Sequence, residues 1–265
     1  MRHVGTLARR ELRSLFASPV AYVVLSLWSV MAGFFFLAQV VHFESEISRM
    51  QQYGAFEHLR AWNLNDHLLN PFFGSMWIVL IFAVPGICMG LLAGEKANRT
   101  EELLLTSPLS IWEIVLGKYL AAAAMVLLMT AIVGFYAGLL FMYGDPEIGK
   151  TLCGLLGIFL VSLSYAAVGL FASALTRNFL VAFFTAFGLL VGLLVLPFAA
   201  ELGVAGQTFG SDGSLAHALR WLSTGGHFEQ ISKGWIDTED LFYFFAFPMA
   251  FLVLAKTALE SVRWR

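Results

Sequence analysis

Charged residues are scarce in this chain, and their scarcity limits what the protein can be. Only 13% of its 265 residues are Asp, Glu, Lys or Arg, while 59% are hydrophobic and the mean hydropathy is +0.77. A soluble domain carries about 25% charged residues. Half that fraction, together with long uncharged runs, indicates an integral membrane protein. The formal net charge of −2 also excludes a generally basic nucleic-acid-binding protein.

Cysteine is almost absent as well. Cys88 and Cys153 are the two cysteines of the chain, and they do not have the spacing of a metal-binding motif. The topology predicted below places them near opposite faces of a membrane, so we expect no disulfide between them.

Two motifs that would give the chain its own hydrolytic site are missing. The sequence contains no Gly-x-Ser-x-Gly and no His-Glu-x-x-His. The two absent motifs are the nucleophile turn of hydrolases and the zinc-protease helix. Residues 144–151, Gly-Asp-Pro-Glu-Ile-Gly-Lys-Thr, have the letters of the phosphate-loop pattern Gly-x-x-x-x-Gly-Lys-Ser/Thr. That pattern binds phosphate where it follows a strand and opens a helix, whereas here it lies in a short turn between two long apolar runs. We predict no catalytic residue and no cofactor in this chain, and an energy source, if there is one, must come from a partner.

Six apolar runs are long enough to cross a membrane. Because a helix rises about 1.5 Å per residue and the hydrocarbon core is about 30 Å thick, some 20 apolar residues suffice. The runs predict an all-α polytopic membrane protein, with one transmembrane domain over 1–265. The predicted spans are about 19–41, 72–93, 115–142, 151–175, 179–200 and 241–260.

The predicted spans hold almost no ionisable group at mid-membrane depth. Lys118, Lys256 and Glu260 lie near span ends, where we expect their long side chains to reach the interface. Proton- or ion-coupled carriers place acids or histidines deeper, so the sequence argues against that class. Within the second span, Pro85 and Gly86 predict a kink.

The polar segments between spans predict further short helices. Residues 42–71 are expected to form one or two interfacial helices. Residues 201–240 are expected to form two more, from Ser214 to Leu222 and over 227–233, the second ended by Gly234.

The first residues predict a basic amphipathic helix on an anionic membrane surface. Apolar residues recur at helical spacing over 2–16, and four arginines lie between them. The apolar set is Val4, Ala8, Leu12, Leu15 and Phe16, and the arginines are Arg2, Arg9, Arg10 and Arg13.

The distribution of Lys and Arg predicts the orientation. With a cytoplasmic N-terminus, eleven of them fall on the cytoplasmic side and five on the other. Both termini and residues 94–112 are then cytoplasmic. The five on the outer side are Arg49, Arg60, Lys150, Arg220 and Lys233.

The segment 94–112 is the most charged stretch between two spans. It holds Glu95, Lys96, Arg99, Glu101 and Glu102. Each charge would cost about 2.5–3.5 kcal/mol at the bilayer centre, so this segment must stand at a membrane face. Its polar half is then available to a water-soluble partner.

Residues 95–110 resemble the segment that follows the second span in ABC-2-type transporter permeases. Arg99 stands where glycine is usual in that family, and Glu101 where an apolar residue is usual. The positions that match are Thr100, Glu102, Leu103, Leu104, Thr106 and Pro108.

Three further stretches carry the same resemblance, so that it covers nearly the whole chain. Residues 8–12 up to Pro19 resemble the family's first interfacial helix. Gly117 and Lys118 fit the start of its third span. Residues 222–237, with His-Phe-Glu at 227–229, resemble the gliding-motility-associated branch of these permeases.

The resemblance implies a transmembrane subunit of an ATP-driven exporter in the bacterial inner membrane. In that family a coupling helix after the second span docks to an ATP-binding subunit, and the interfacial helix lies beside it. Carried onto this chain, the docking residues are Glu95, Arg99, Thr100, Glu102 and Thr106, and the interfacial residues are Arg9, Arg10 and Glu11.

The partners that the resemblance implies follow from this assignment. The ATP-binding subunit would hold ATP and Mg, and the other partner is a second permease copy or a related permease. A subunit with an extracytoplasmic domain is also possible, whereas no nucleic acid is expected.

Two other classes stay open on the residues alone. One is a membrane scaffold or assembly factor without transport. The other is a membrane-embedded lipid-modifying enzyme, for which only Glu57, His58, Asp66 and His67 offer acids and histidines. A metal site built on His42, His58 and His67 is not favoured, because their spacing is irregular.

Overall fold

The computed structural model describes residues 4–17, 19–54, 62–98, 110–201 and 214–263. Within these ranges the elements are helices, and no strand occurs. Six helices are long and apolar enough to cross a membrane. This confirms the predicted all-α, polytopic membrane fold.

The helices are numbered in chain order, and a π-helical turn, Asn65–Leu69, leads directly into α3. The second candidate span, Asn65–Ala97, joins this turn, α3 and α4. The bounds are α1 Val4–Ala17, α2 Pro19–Gln52, α3 Asn70–Cys88, α4 Ala93–Ala97, α5 Ile111–Tyr143, α6 Ile148–Leu175, α7 Phe179–Glu201, α8 Ser214–Leu222, α9 Thr224–Ser232 and α10 Thr238–Arg263.

The first span is longer than the sequence predicted. Helix α2 has 34 residues, or about 50 Å, so it extends well beyond a hydrocarbon core of about 30 Å. The predicted interfacial helix is therefore wrong for 42–52, which simply continue α2 as far as the turn at Gly54, where φ is +70°. The π-helical turn is continuous with α3 and is no separate helix either. Residues 55–61, including Leu59, lie outside the described residues.

Helix α6 lies at the centre of the bundle. It packs against α3, α5, α7, α9 and α10. Of its most apolar 18 residues, 67% are buried, which is the highest share among the six candidate spans. Glycines allow this close packing. A Cβ atom at Gly154 would lie 2.3 Å from the ring of Phe73, and one at Gly169 would lie 2.6 Å from Cβ of Cys88.

The second span is interrupted after Cys88, and the kink predicted at Pro85 and Gly86 stays a prediction. Helix α3 runs through Pro85 and Gly86 and ends at Cys88. A turn at 89–92 then leads into the short helix α4.

Helix α1 is amphipathic, as predicted. Leu7 is buried, while Arg9 and Arg10 are exposed. The apolar side of α1 packs along α5, where a Cβ atom at Gly117 would lie 2.7 Å from Leu7. Helices α1 and α4 thus mark one end of the bundle, which we call the α1 end.

The opposite end, which we call the α9 end, carries α8 and α9. Helix α8 has the predicted bounds, Ser214–Leu222. Helix α9 begins at Thr224 instead of 227, because the Ser223 hydroxyl caps it by accepting from the Gly225 N–H at 3.3 Å. The chain leaves α9 at Gly234, whose φ of +91° favours glycine.

Candidate functional site around Lys118

A buried lysine joins three segments at the α1 end. Lys118 lies in the second turn of α5, and its side chain is 1% exposed. Its ammonium nitrogen lies 2.8 Å from Oε1 of Glu95 in α4 and 3.3 Å from Oε2 of Glu11 in α1. We call these three residues the Lys118 cluster. It brings together two of the residues predicted from sequence, Glu11 and Glu95, through a third that was given no site role.

Electrostatic attraction holds the Lys118 cluster together, and it requires the lysine as well as both glutamates. The side chains of Glu11 and Glu95 are 14% and 21% exposed, so the two carboxylates keep limited contact with water. Removing one partner of a buried ion pair costs about 3–5 kcal/mol, because the remaining charge loses its compensation. Lys118 therefore fixes α1 and α4 against α5.

The neighbouring residue ties α4 to the end of α6. The Lys96 ammonium donates to the carbonyl oxygen of Ala174 at 2.5 Å, and Lys96 is 7% exposed. Glu95 and Lys96 thus bind opposite neighbours, α5 and α6. A five-residue helix cannot hold its own position, so these side chains locate it.

Ser173 secures the turn that precedes α4. Its hydroxyl oxygen accepts from the backbone N–H groups of Leu92 and Ala93 at 3.0 and 2.9 Å. The hydroxyl itself donates to the carbonyl of Met89 at 3.0 Å. This uses the full hydrogen-bonding capacity of one hydroxyl and satisfies N–H groups at a helix start that would otherwise have no helical partner.

The residues that follow the predicted docking segment, at the start of α5, are also held by hydrogen bonds. Ser110 and Glu113 form a capping box at the start of α5, with the Ser110 hydroxyl accepting from the Glu113 N–H at 3.2 Å. Such a box satisfies two N–H groups at once. These contacts therefore hold the described residues on either side of 99–109, up to Asn98 and from Ser110 onward.

The remaining predicted residues fall in two groups. Arg9 and Arg10 are exposed on α1, next to the cluster but outside it. The docking residues Arg99, Thr100, Glu102 and Thr106 lie outside the described residues. The roles of both groups stay predictions.

The Lys118 side chain is buried in the protein, because its ammonium turns inward to Glu11 and Glu95. The sequence carried a signal for this pairing, since a charge inside a span is costly and needs a partner. Near the end of the last span, Lys256 pairs with Glu260 at 3.0 Å and lies over the ring of Trp112 at 5.5 Å.

A second polar cluster lies at the α9 end. Nδ1 of His227 is 2.6 Å from Oδ1 of Asp240, and Nε2 is 3.0 Å from the carbonyl oxygen of Trp221. The imidazole stacks on Tyr243 with ring centroids 4.2 Å apart. Since a carbonyl only accepts, Nε2 carries a proton. The cluster joins α8, α9 and α10.

Asp66 and His67, two of the residues considered for metal binding or lipid chemistry, have ordinary partners. Asp66 lies 3.6 Å from the Lys150 ammonium, and His67 stacks on Trp62 at 3.6 Å. Glu57 and His58 lie outside the described residues. Within the described ranges, no group of three or more His, Cys, Asp or Glu side chains is arranged to hold a metal ion.

The six apolar helices define a multi-pass membrane protein. Residues 6–260 match the family model described as ABC-2 family transporter protein, so the chain belongs to the ABC-2 transporter family. It is a transmembrane permease component of an ABC transporter and is not itself catalytic. Membership implies an ABC ATP-binding partner subunit. No curated protein sequence matches the chain.

Proposed function

We propose that this chain is the permease subunit of an ATP-driven exporter, and that residues 95–109 dock to a separate ATPase subunit. The observation that carries the proposal is the double ion pair of Lys118 with Glu11 and Glu95. A segment that receives force must be attached firmly to the spans that move. The Lys118 cluster makes that attachment at the segment's start.

The force would then pass through three contacts. Glu95 transmits it to α5 through Lys118, and Lys96 with Ser173 transmits it to α6, the central helix. The residues proposed to face the ATPase are Arg99, Thr100, Glu102 and Thr106, with Arg9 and Arg10 beside them. Glu95 contributes by holding the segment in place, and Glu11 holds α1 to the same point.

The orientation supports this assignment. The excess of Lys and Arg on the α1 end favours a cytoplasmic position for it, and hence for both termini in a bacterial inner membrane. ATP and Mg are then bound by the partner ATPase. We further propose a second permease, either an identical copy or a relative, as the other half of the transport route. The resemblance of residues 222–237 favours the gliding-motility-associated branch.

The test is co-purification from detergent-solubilised native membranes. We expect an ATP-binding protein to purify with the wild-type chain and to be lost with Glu102→Arg, because reversing the charge opposes docking. Glu44→Arg is the matched control, since Glu44 is exposed on the part of α2 near the α9 end. If the ATPase binds wild type and Glu102→Arg equally, residue 102 is not at the docking site. If none co-purifies with any variant, the scaffold function is favoured.

A further inference from the structure

A groove of about 1100 Å³ opens at the α9 end, far from the Lys118 cluster. Its walls are the π-helical turn, the first half of α3, the start of α6, the end of α7 and helices α8 and α9. Small-molecule sites commonly measure about 300–1,000 Å³, so the groove is large enough for a ligand headgroup and part of a chain. We call it the α3–α9 groove.

The rim of the groove carries three cations and two carboxylates. Lys150 lies 3.6 Å from Asp66, and Lys233 pairs with Glu229. For Arg220, the described part of the chain supplies no carboxylate within ion-pair distance. A guanidinium offers a planar fork of N–H donors that suits a phosphate. The rim is therefore suited to an anion at Arg220.

The wall below the rim is apolar. The Trp77 indole N–H donates to the Tyr165 hydroxyl at 2.9 Å, and its ring stacks on Phe228 with centroids 5.7 Å apart. The polar atom of Trp77 is thus satisfied, and its ring adds to an apolar wall with Leu194 and Pro197 of α7. Trp77 lies about 10 Å along α3 from Asn70 at the rise of a helix.

The apolar wall continues onto the outer surface of the bundle. Ile78 lines the groove and is 57% exposed, although it lies inside a candidate membrane span. An exposed isoleucine at that depth meets lipid or another membrane helix. A ligand in the groove can therefore keep its head at the cationic rim and its tail in the apolar layer.

We propose that the α3–α9 groove binds an anionic lipid, with its phosphate at Arg220 and one acyl chain along Trp77, Ile78 and Leu194. The charge and the apolar wall are both needed for this match. A soluble phosphate would make no use of the apolar wall, and a zwitterionic lipid brings no net charge to Arg220. The proposal concerns this chain alone, so it does not depend on ATPase docking.

The test is a native mass spectrometry titration of the full-length protein in detergent, with dioleoylphosphatidylglycerol compared with dioleoylphosphatidylcholine. Arg220→Gln removes the cation, and the control Arg49→Gln removes an exposed arginine of α2 near the same end. Since one Lys or Arg near a membrane surface contributes about 1 kcal/mol to anionic lipid binding, we expect about five-fold weaker phosphatidylglycerol binding with Arg220→Gln. Binding of phosphatidylcholine should change less, because its choline cation offsets the charge of its phosphate.

A second pair of variants tests the apolar wall. Gly74 lines the groove and Gly138 of α5 does not, and a Cβ atom at either position meets nothing within 4 Å. We expect Gly74→Leu to fill the groove and weaken phosphatidylglycerol binding, while Gly138→Leu has no effect. Both substitutions should leave the thermal midpoint near that of wild type.

Four outcomes would overturn the proposal. The first is equal binding of the two lipids, and the second is unchanged phosphatidylglycerol binding by Arg220→Gln. The third is displacement of the lipid by millimolar inorganic phosphate, which would indicate a site for soluble anions. The fourth is a change of oligomeric mass with Gly74→Leu and no change in lipid binding, which would make this face a contact between copies of the chain.

Discussion

Replacing Lys118 by methionine tests the junction between the interhelical segment and the spans. The substitution keeps an unbranched side chain and removes the ammonium that compensates Glu11 and Glu95. Breaking a buried ion pair costs about 3–5 kcal/mol when the partner charge stays behind. The two carboxylates keep some exposure, 14% and 21%, which favours the lower end of that range.

A loss of about 3 kcal/mol would lower the thermal midpoint by roughly 6–12 °C for a chain of this size. The midpoint can be followed with a thiol-reactive dye in detergent, because Cys88 is fully buried and reacts only when the bundle opens. Cys153 is partly exposed, so the measurement uses a Cys153→Ser background. Lys233→Met is the control, since its pair with Glu229 is exposed and exposed pairs contribute about 0–1 kcal/mol.

A triple variant tests whether the unpaired carboxylates cause the loss of stability. Adding Glu11→Gln and Glu95→Gln to Lys118→Met removes both uncompensated carboxylates. The midpoint should then return to within about 3 °C of wild type, because the cost lay in the unpaired charges. The reasoning is refuted if Lys118→Met is no less stable than Lys233→Met. It is also refuted if the triple variant is as unstable as the single one.

Three further substitutions test the contacts around the two clusters by their thermal midpoints. Ser173→Ala removes the acceptor for two N–H groups and should cost about 1–3 kcal/mol; unchanged hydrogen exchange at those amides would contradict this role. Gly117→Leu should destabilise the protein by about 1–3 kcal/mol through overpacking against Leu7. Its control is Gly138→Leu at an open position, and equal thermal midpoints for the two variants would show that α1 does not pack as described. His227→Ala should cost about 1–3 kcal/mol by leaving the buried carboxylate of Asp240 without its partner, and a midpoint within 1 °C or so of wild type would argue against that pairing.

Hydropathy located the six spans because it measures how favourably a segment transfers from water into lipid. It does not locate the end of a helix. Residues 42–52 are polar, which predicts a separate segment, yet they contain no glycine or proline. Helix α2 therefore continues to the Tyr53–Gly54 turn. The first local signal that stops it is Gly54, with its positive φ.

The sequence alone indicated only part of the candidate site. The charges of residues 95–102 indicated a membrane face, and the resemblance indicated docking. The pairing of Lys118 with Glu95, which lies 23 residues away, and with the more distant Glu11 depends on the packing of α1 and α4 on α5. Local periodicity does not carry that information. What the sequence did carry was the cost of a lysine inside a span, which required an acidic partner somewhere in the fold.

The most direct test of docking is site-specific photo-crosslinking in native membranes. A benzoylphenylalanine at position 102 should form an adduct with an ATP-binding subunit, while the same group at position 44, near the α9 end, should not. An adduct at 102 that contains an ATP-binding protein would support the permease assignment and the location of its docking segment. Adducts at 44 and none at 102, in membranes where the ATP-binding subunit is present, would contradict it.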